Sequence, residues 1–437
     1  MNIFYALSYF FQISYLHKLV DSLYLWILPA ILLLSYIAIN LIVNRKSYFN
    51  VLSKKTPFLL LFICLIIGLI RSNNPEEKEF SSYIKIVQLM LLLFATSINI
   101  DNNKIRINSI FIFVILPFTF FALLNLLLWS IKYHSIEVEE ISMGSAVLLS
   151  NLGVVIDRVV FPLGFGVNNY GTLIGAILIL AINSFIFLKN FKVVHSVVIA
   201  TCFLTLLLLD SRASLISSVL ITAICIYIYK SNSISIIKLI PYIALFGPVL
   251  YMVAIPLLSQ STMMSGIVRN SEELATGNSR FFIWGIALNE LSNFKVEHIF
   301  GYGEYGHFKS GASLIWSSFF GDYEKNELKS PHNTILSIVF DYGYVGLILY
   351  IYFLVDVSRK ITNVWLLNSK LGIVFAGFYF YLVLIGITEA TFGLYILQFN
   401  YLFYTVTLSL YTVQNLLTRQ IQWKRNVITS TEKEVVY

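Results

Sequence analysis

The chain has 437 residues, of which 58% are hydrophobic and only 12% are charged. A soluble protein would carry about a quarter charged residues, so a soluble globular protein is excluded and a polytopic membrane protein is predicted. The formal net charge of +7 fits basic cytoplasmic loops better than nucleic-acid binding. Cys64, Cys202 and Cys225 all lie inside apolar runs, which predicts neither a disulfide framework nor a metal cluster.

Apolar runs recur along the chain, and crossing a bilayer needs about 20 mostly apolar residues. They lie near 23–43, 57–70, 80–98, 107–131, 168–188, 193–209, 213–229, 239–258, 333–355, 371–389 and 393–414, with a weaker run near 2–17. The sequence therefore predicts an all-α polytopic membrane protein in which residues 1–437 form a single integral membrane domain of about 12 transmembrane helices. Whether residues 2–17 span the membrane is left open.

Basic residues fall in alternate loops between these runs. They are Arg45, Lys46, Lys54, Lys55, Lys104, Arg106, Lys189, Lys192, Lys230, Lys238, Arg359, Lys360 and Lys370, followed by Arg419, Lys424 and Arg425 in the tail. Loops rich in lysine and arginine stay in the cytoplasm. Both termini are then predicted to be cytoplasmic, with residues 415–437 as a cytoplasmic tail, and the intervening acidic or mixed loops face outward.

Residues 259–332 form the one long outward loop that this orientation predicts. Its segment "NSRFFIWGIALNEL" at 278–291 has apolar residues at a helical period, which predicts a helix lying along the membrane interface. Gly301, Gly303 and Gly306 then predict a flexible turn, with His307 beside it as a surface residue. A loop of this length is typical of a lid or a binding loop, so it is expected to carry part of the active site.

Three residues on the predicted outer face could carry chemistry. Arg212 lies in a tight turn between two apolar runs, Arg280 opens the interfacial segment, and His332 opens the run at 333–355. Each has a plainer explanation. Arg212 could snorkel toward water or pair with Asp210, Arg280 could be an ordinary loop arginine, and His332 could simply begin a helix.

The residues around His332 favour the chemical interpretation. Ser330 is a good N-cap and Pro331 fits the first helical position, which would place His332 in the first turn. The positive end of the helix dipole disfavours imidazolium there, and a neutral imidazole can accept a proton near pH 7. The same helix end would attract an anion such as diphosphate. This pattern predicts a reaction that deprotonates a hydroxyl and stabilises a phosphate leaving group.

Four segments occur in order between about 157 and 390. They are "DRVVFPLGFGVNNYGTLIGAIL" at 157–178, "DSRASLISS" at 210–218, "NSRFFIWGIALNEL" at 278–291 with the following "FGYGEYG", and "SPHNTILSIVFDYGYVGLILY" at 330–350. With the long outer loop, this ordered set resembles the membrane family of O-antigen ligases and O-antigen or capsule repeat-unit polymerases. Each motif is short, and the order of the set carries the resemblance.

The resemblance implies an all-helical, GT-C-like glycosyltransferase that uses an undecaprenyl-diphosphate glycan on the outer face of the bacterial inner membrane. It implies no metal, no cofactor and no nucleotide sugar. The family's arginines and histidine match Arg212, Arg280 and His332. The two arginines would bind the diphosphate, and His332 would be the general base or would orient the acceptor hydroxyl. An acceptor hydroxyl would attack the anomeric carbon with inversion.

Four further residues are lower-ranked candidates for substrate binding. They are Arg158, Asn168, Asn169 and Glu389. Arg158 could grip sugar or phosphate, although a structural role beside Asp157 is the alternative. Glu389 could orient His332 or an arginine. Asp341 lies within the run that His332 opens and is interpreted as a packing or pairing group.

Three functions remain open at this stage. A polymerase would join lipid-linked repeat units, with a chain-length regulator and a flippase as possible partners, and "GITEATFGLYI" at 386–396 favours this function. A ligase would move the finished glycan onto lipid A-core by the same chemistry. A flippase would need repeated, interrupted helices in matching positions, and the sequence has no such pair. Sugar identity, linkage, chain length and oligomeric state are not encoded in any recognisable pattern.

The orientation can be tested by cysteine labelling in intact cells. Cysteines introduced at Ser261 and Tyr323, in the predicted outer loop, should react with an impermeant thiol reagent. A cysteine at Ser53, in a predicted cytoplasmic loop, should react only after the cells are permeabilised. Labelling at Ser53 alone would reverse the orientation and move the candidate site to the cytoplasmic face.

Overall fold

A computed structural model describes most of the chain from residue 146 onward and several helices before it. The described residues are 7–8, 23–44, 56–71, parts of 84–98, 110–133, 146–151, 153–164, 166–259, 279–318, 330–392 and 397–434. The predicted run at 2–17 and much of the loop at 259–332 lie outside these residues.

Every regular element in the described ranges is a helix, which confirms the all-α prediction. The main helices are α1 (Leu23–Asn44), α2 (Thr56–Ile70), α3 (Ile110–Ser130), α4 (Val167–Asn183), α5 (Lys192–Leu209), α6 (Arg212–Ser231), α7 (Ile240–Ser259), α8 (Arg280–Ser292), α9 (Thr334–Leu367), α10 (Ser369–Ile385) and α11 (Leu397–Glu434). Shorter helices occupy Val147–Ser150, Glu297–Phe300, Gly306–Lys309 and Ala312–Ser317. Within 84–98, each residue that the structure describes is helical.

Among the residues that the structure describes, five helical segments are long and apolar enough to cross a membrane. They are Val167–Leu188, Lys192–Leu209, Arg212–Ser231, Ile234–Leu257 and Thr334–Leu367. Four shorter apolar helices accompany them, at Ile27–Val43, Thr56–Gly68, Val114–Ser130 and Ser369–Ile385. The predicted total of about 12 spans stays a prediction.

Short connections join α4 to α7 in turn and α9 to α10, so successive helices within each set run antiparallel. Residues 184–191, which include a π-helical turn, join α4 to α5, and Asp210 and Ser211 join α5 to α6. The beginnings of α4, α6 and α9 and the ends of α5, α7 and α10 lie at one end of the bundle, which we call the site end. Lys189, Lys230 and Lys370, in or beside the connections at the other end, define the basic end. Which side of the membrane each end faces stays a prediction.

Helix α4 lies at the centre of the bundle and packs against α3, α5, α6 and α10. Most of its residues are buried, as expected for a helix that is apolar all round. Small residues make this packing close. A Cβ added to Gly171 would lie 2.2 Å from the Ser211 hydroxyl, and one added to Gly175 would lie 2.1 Å from the Tyr381 hydroxyl. These contacts hold the beginnings of α4 and α6 together against α10.

Helix α9 is broken at Gly343, where φ is 69° and ψ is −171°. The glycine-rich segment after α8 packs into this break. The amides of Tyr302 and Gly303 donate to the carbonyls of Phe340 (2.8 Å) and Asp341 (3.0 Å), and the Gly306 amide donates to the Asp341 carboxylate at 2.8 Å. Carbonyls released from a helix must be satisfied within the protein when water is excluded. Asp341 is thus confirmed as a pairing group.

The same segment caps the end of α2. The Glu304 amide donates to the Gly68 carbonyl at 3.1 Å, the Arg71 guanidinium donates to the Phe300 carbonyl at 3.2 Å, and the Lys309 amine donates to the Arg71 carbonyl. These bonds link α2 to the break in α9.

Two predictions about this segment are wrong. Gly301, Gly303 and Gly306 do not form an open flexible turn, because a Cβ on Gly306 would meet the Phe340 carbonyl oxygen at 2.2 Å. His307 is buried rather than a surface residue, and its ring stacks on Trp316 with centroids 6.0 Å apart. The glycines are needed for close backbone approach, a requirement that sequence cannot distinguish from flexibility.

Replacing Gly343 by alanine should destabilise the fold. Its backbone conformation is one that only glycine adopts easily, with a strain for other residues on the order of 1–3 kcal/mol, and the new Cβ would lie 2.3 Å from the Ile299 carbonyl oxygen. We expect a lower thermal unfolding midpoint for Gly343→Ala in detergent. Gly285→Ala is the matched control, because Gly285 is in α8 with nothing within 4 Å of an added Cβ. Equal midpoints for the two variants would contradict this account of the break.

Candidate active site

Helix α9 begins at Thr334, three residues later than the capping pattern of the sequence predicts. Its N-cap is Asn333, whose side-chain oxygen accepts from the Leu336 amide at 2.9 Å. The Asn333 amide group also donates to the Ile387 carbonyl at 2.9 Å. The predictions that Ser330 caps the helix, that Pro331 is its first residue and that His332 lies in its first turn are therefore wrong. Asn333 caps the helix because it also bonds to the turn after α10, a tertiary contact that the local sequence does not reveal.

His332 lies just outside the helix and is held from both sides. Its backbone is in the left-handed region, with φ of 47°, and its amide donates to the Ser330 hydroxyl at 3.4 Å. The buried indole of Trp284 in α8 donates to the Pro331 carbonyl at 2.8 Å. Helix α8 therefore fixes the segment that carries His332.

Glu389 joins His332 to Arg280. One carboxylate oxygen of Glu389 lies 2.6 Å from Nη2 of Arg280, and the other lies 3.1 Å from Nδ1 of His332. Nε of Arg280 donates to the Thr388 carbonyl at 3.0 Å. An ionised carboxylate can only accept, so Nδ1 carries the proton and Nε2 of the neutral ring is left as an acceptor. We call Arg280, Glu389 and His332 the triad.

The charge of Glu389 depends on its two partners. Burial alone raises the pKa of the Glu389 carboxyl, but the Arg280 guanidinium and the hydrogen bond from His332 lower it more, so the pKa ends below its usual value. Its side chain is only 8% exposed, and a buried carboxylate needs such compensation. Glu389 is therefore ionised at neutral pH.

The turn after α10 positions Glu389. Thr334, the first residue of α9, bonds to this turn through its backbone and its side chain. Its amide donates to the Gly386 carbonyl at 2.9 Å, and its hydroxyl donates to the Glu389 carbonyl at 2.9 Å. The Thr391 amide donates back to the Thr334 hydroxyl at 2.9 Å. This network fixes the "TEAT" turn against the beginning of α9.

Arg212 and Arg158 each bond to the turn between α5 and α6, a second position of the site end. Nε of Arg212 lies 3.7 Å from the carboxylate of Asp210, and Nε of Arg158 donates to the Leu209 carbonyl at 3.1 Å. The pairing with Asp210 is the plainer explanation that the sequence offered for Arg212. Its side chain is nevertheless 24% exposed, whereas that of Asp210 is fully buried, so the guanidinium reaches the surface.

Asn168 and Asn169 lie in the first turn of α4, where Asn168 is exposed and Asn169 is half-buried. Tyr381 of α10 connects this group with the triad. Its hydroxyl donates to the Thr172 carbonyl at 3.0 Å. The same hydroxyl contacts Ser214, two residues after Arg212, and lies within electrostatic range of the Glu389 carboxylate. All seven predicted residues thus lie at the site end, in two groups.

Sequence reasoning missed three residues that shape the triad. Trp284 and Thr334 hold the backbone on either side of His332. Tyr251 of α7 packs edge-on against Phe281 and at a tilt against Trp284, with ring centroids 5.9 Å apart in each pair. It also lies within electrostatic range of Arg280 and Glu389. The sequence predicts an interfacial helix for the aromatic run "RFFIW" after Ser279. In the structure, Ile283 and Trp284 of this run are buried.

Glu389→Gln should destabilise the protein at neutral pH, because it leaves Arg280 without its buried counter-charge. Breaking such a pair costs about 3–5 kcal/mol when it is deeply buried. Since the pKa of Glu389 is lowered, its contribution to the free energy of unfolding is present above the unfolded pKa of about 4.3 and is lost as pH falls through the lower folded value. The gap between wild-type and variant unfolding midpoints should hold from pH 7 to about 5 and shrink below that.

Glu290→Gln is the matched control. Glu290, near the end of α8, pairs with Lys295 at 2.5 Å, and the Lys295 side chain is 45% exposed. Exposed pairs contribute about 0–1 kcal/mol. An equal loss of stability in the two variants, or a gap that widens in acid, would contradict the role given to Glu389.

Within the described residues, no group of three or more His, Cys, Asp or Glu side chains could hold a metal ion.

Comparisons with known proteins match a region that holds Arg280 and His332 of the triad. A search of curated proteins gives no match. Residues 195–351 match the model of the O-antigen ligase family. This segment contains Arg212, Arg280 and His332, and it ends before Glu389. The segment from α5 into α9 is therefore similar to the O-antigen ligase family, in agreement with the resemblance of the chain's motifs.

Proposed function

We propose that the protein is an inverting, metal-independent glycosyltransferase that joins lipid-linked oligosaccharide repeat units into O-antigen or capsular polysaccharide. The observation that carries the proposal is the Glu389 carboxylate shared between Arg280 and His332, at 2.6 and 3.1 Å. It combines an oriented histidine base with a cation at one helix end, which is what hydroxyl activation next to a diphosphate requires.

His332 is the general base. With Nδ1 bonded to Glu389, Nε2 takes the proton from an acceptor hydroxyl as its oxygen forms a bond to the anomeric carbon of the donor. The bond from that carbon to the diphosphate oxygen breaks on the opposite face, and its electron pair leaves with the diphosphate. The anomeric configuration inverts. Glu389 stabilises the imidazolium that forms, because opposite charges at hydrogen-bond distance favour each other.

Arg280 and Arg212 bind the diphosphate. Planar guanidinium groups match phosphate oxygens in a bidentate manner and stabilise the charge that develops as the bond breaks. Glu389 and the Thr388 carbonyl orient Arg280, and the turn at Asp210 orients Arg212. Arg158, beside the turn between α5 and α6, and Asn168 and Asn169, in the first turn of α4, contact the sugars or the phosphate of the same substrate.

The substrates follow from the resemblance to the O-antigen ligase and polymerase family. Donor and acceptor are both undecaprenyl-diphosphate-linked glycans, no cofactor takes part, and a chain-length regulator and a flippase are candidate partners. The protein resides in the bacterial inner membrane with both termini in the cytoplasm. The site end faces outward, because Lys189, Lys192, Lys230, Lys238 and Lys370 lie in or beside the short connections at the opposite end, and such basic loops stay in the cytoplasm.

The matched family supports a second candidate, the O-antigen ligase, which transfers the finished glycan to lipid A-core. The two activities share one chemistry and differ in the acceptor. A deletion strain separates them: lipopolysaccharide with core plus a single repeat indicates a lost polymerase. Bare core with accumulated lipid-linked polymer indicates a lost ligase.

Variants of the three principal residues should divide the work as follows. Arg212→Lys and Arg280→Lys should lose most transfer activity, because lysine supplies a point charge without the bidentate geometry. His332→Ala should keep donor binding but lose about 10²–10⁴-fold in transfer, the usual contribution of a general base. Lipid-diphosphate binding and glycan transfer are measured on the same purified variants.

Arg419→Lys provides the control for the lysine substitutions, because Arg419 is exposed on α11 in the predicted tail. It should keep wild-type binding and transfer. Near wild-type transfer by His332→Ala, or full activity of both site lysine variants, would refute the mechanism.

A further inference from the structure

A cleft at the basic end of the bundle has no part in the proposed reaction. It has a volume of about 390 Å³ and lies between the 3₁₀ turn Ile234–Leu239, the beginning of α7 and the second half of α9. Its lining includes Lys238, Tyr242, Ser358, Arg359, Thr362 and Asn363. Arg359 follows Thr334 by 25 residues, so the cleft is roughly 38 Å along α9 from the triad at 1.5 Å per residue.

Two cations from separate elements meet in this cleft. Lys238 comes from the 3₁₀ turn and Arg359 from α9, and both are exposed. The Ser358 hydroxyl donates to the Ile237 carbonyl at 2.8 Å and so holds the two walls together. In the described residues, neither cation forms an ion pair. The cleft is therefore a positively charged concavity built by tertiary packing.

The nearest acid along α9 does not neutralise these cations. The Asp356 carboxylate accepts from the Tyr411 hydroxyl of α11, and Lys360 lies over the same ring, 5.4 Å from its centroid. Both side chains thus face α11, on the other side of α9. Asp356 is therefore not positioned to neutralise Lys238 and Arg359 in the cleft.

An apolar surface extends from the cleft along α7. Tyr242 at its rim is 60% exposed, and Phe246, Val249, Val253 and Leu257 are exposed at helical spacing above it. These residues follow one stripe of a helix long enough to cross the bilayer. A ligand with a phosphate at the cleft and a hydrocarbon chain beside α7 would match both surfaces.

We propose that this cleft binds the headgroup of an anionic phospholipid. Basic pockets between membrane helices recognise lipid phosphates, and a planar guanidinium opposite an ammonium can hold one phosphate from two sides. The acyl chains lie along the exposed stripe of α7. Inorganic phosphate offers the same oxygens without the chains, so the stripe is what selects the lipid.

The test uses the purified full-length protein in detergent with phosphatidylglycerol or phosphatidylcholine, and retained lipid is counted by native mass spectrometry. We expect wild type to retain phosphatidylglycerol in preference to phosphatidylcholine. The double variant Lys238→Gln/Arg359→Gln should weaken phosphatidylglycerol retention by about tenfold or more, since each basic residue near the headgroups contributes. Lys238→Arg, which keeps the charge, should retain the lipid.

Lys192→Gln/Lys230→Gln is the matched control. It removes the same two charges from exposed positions at the same end of the bundle but outside the cleft, and should change retention less than about twofold. Equal losses in the two double variants would overturn the proposal, because charge alone would then explain binding. Wild-type retention by the cleft variant would also overturn it, as would displacement of the lipid by an equal concentration of inorganic phosphate.

Discussion

The carboxylate of Glu389, shared by Arg280 and His332, determines the arrangement of the site end. It joins three segments that are far apart in sequence: α8, the beginning of α9 and the turn after α10. A buried carboxylate stays ionised only if cations or donors compensate for the lost water. The same bonds that keep Glu389 charged therefore fix the tautomer of His332 and the direction of Arg280. Stability and chemistry at this site depend on one charge.

The supporting structure follows from the need to satisfy polar backbone within an apolar protein. Thr334 and Asn333 bond the beginning of α9 to the turn that carries Glu389. Farther along α9, the break at Gly343 releases carbonyls that the segment 301–306 satisfies, and that segment also caps α2. Phe340 and Asp341 at the break are buried, so their polar groups must be paired within the protein. The loop after α8 is for this reason a packed element.

The two ends of the bundle have different chemistry. The site end combines acids with cations in close pairs, as in the triad and in the pairing of Arg212 with Asp210. The basic end carries lysines and arginines that remain exposed, among them Lys238 and Arg359 in the cleft. Paired charges orient one another for a reaction, whereas exposed cations attract anions from the membrane surface. One helix, α9, connects the two ends.

The sequence by itself determined the membrane class, the all-helical fold, most helix bounds, and the identity of Arg212, Arg280 and His332 as candidates. Hydrophobic runs and charged loops are local signals, and they can be read residue by residue. Only the tertiary structure decided that Asn333 rather than Ser330 caps α9, that His307 is buried, and that Glu389 bridges Arg280 and His332. The Glu389 bridge joins residues 57 and 109 positions apart, and the Asn333 cap is tied to Ile387, 54 positions away. Such contacts are fixed by whichever distant backbone or charge the packed helices bring together.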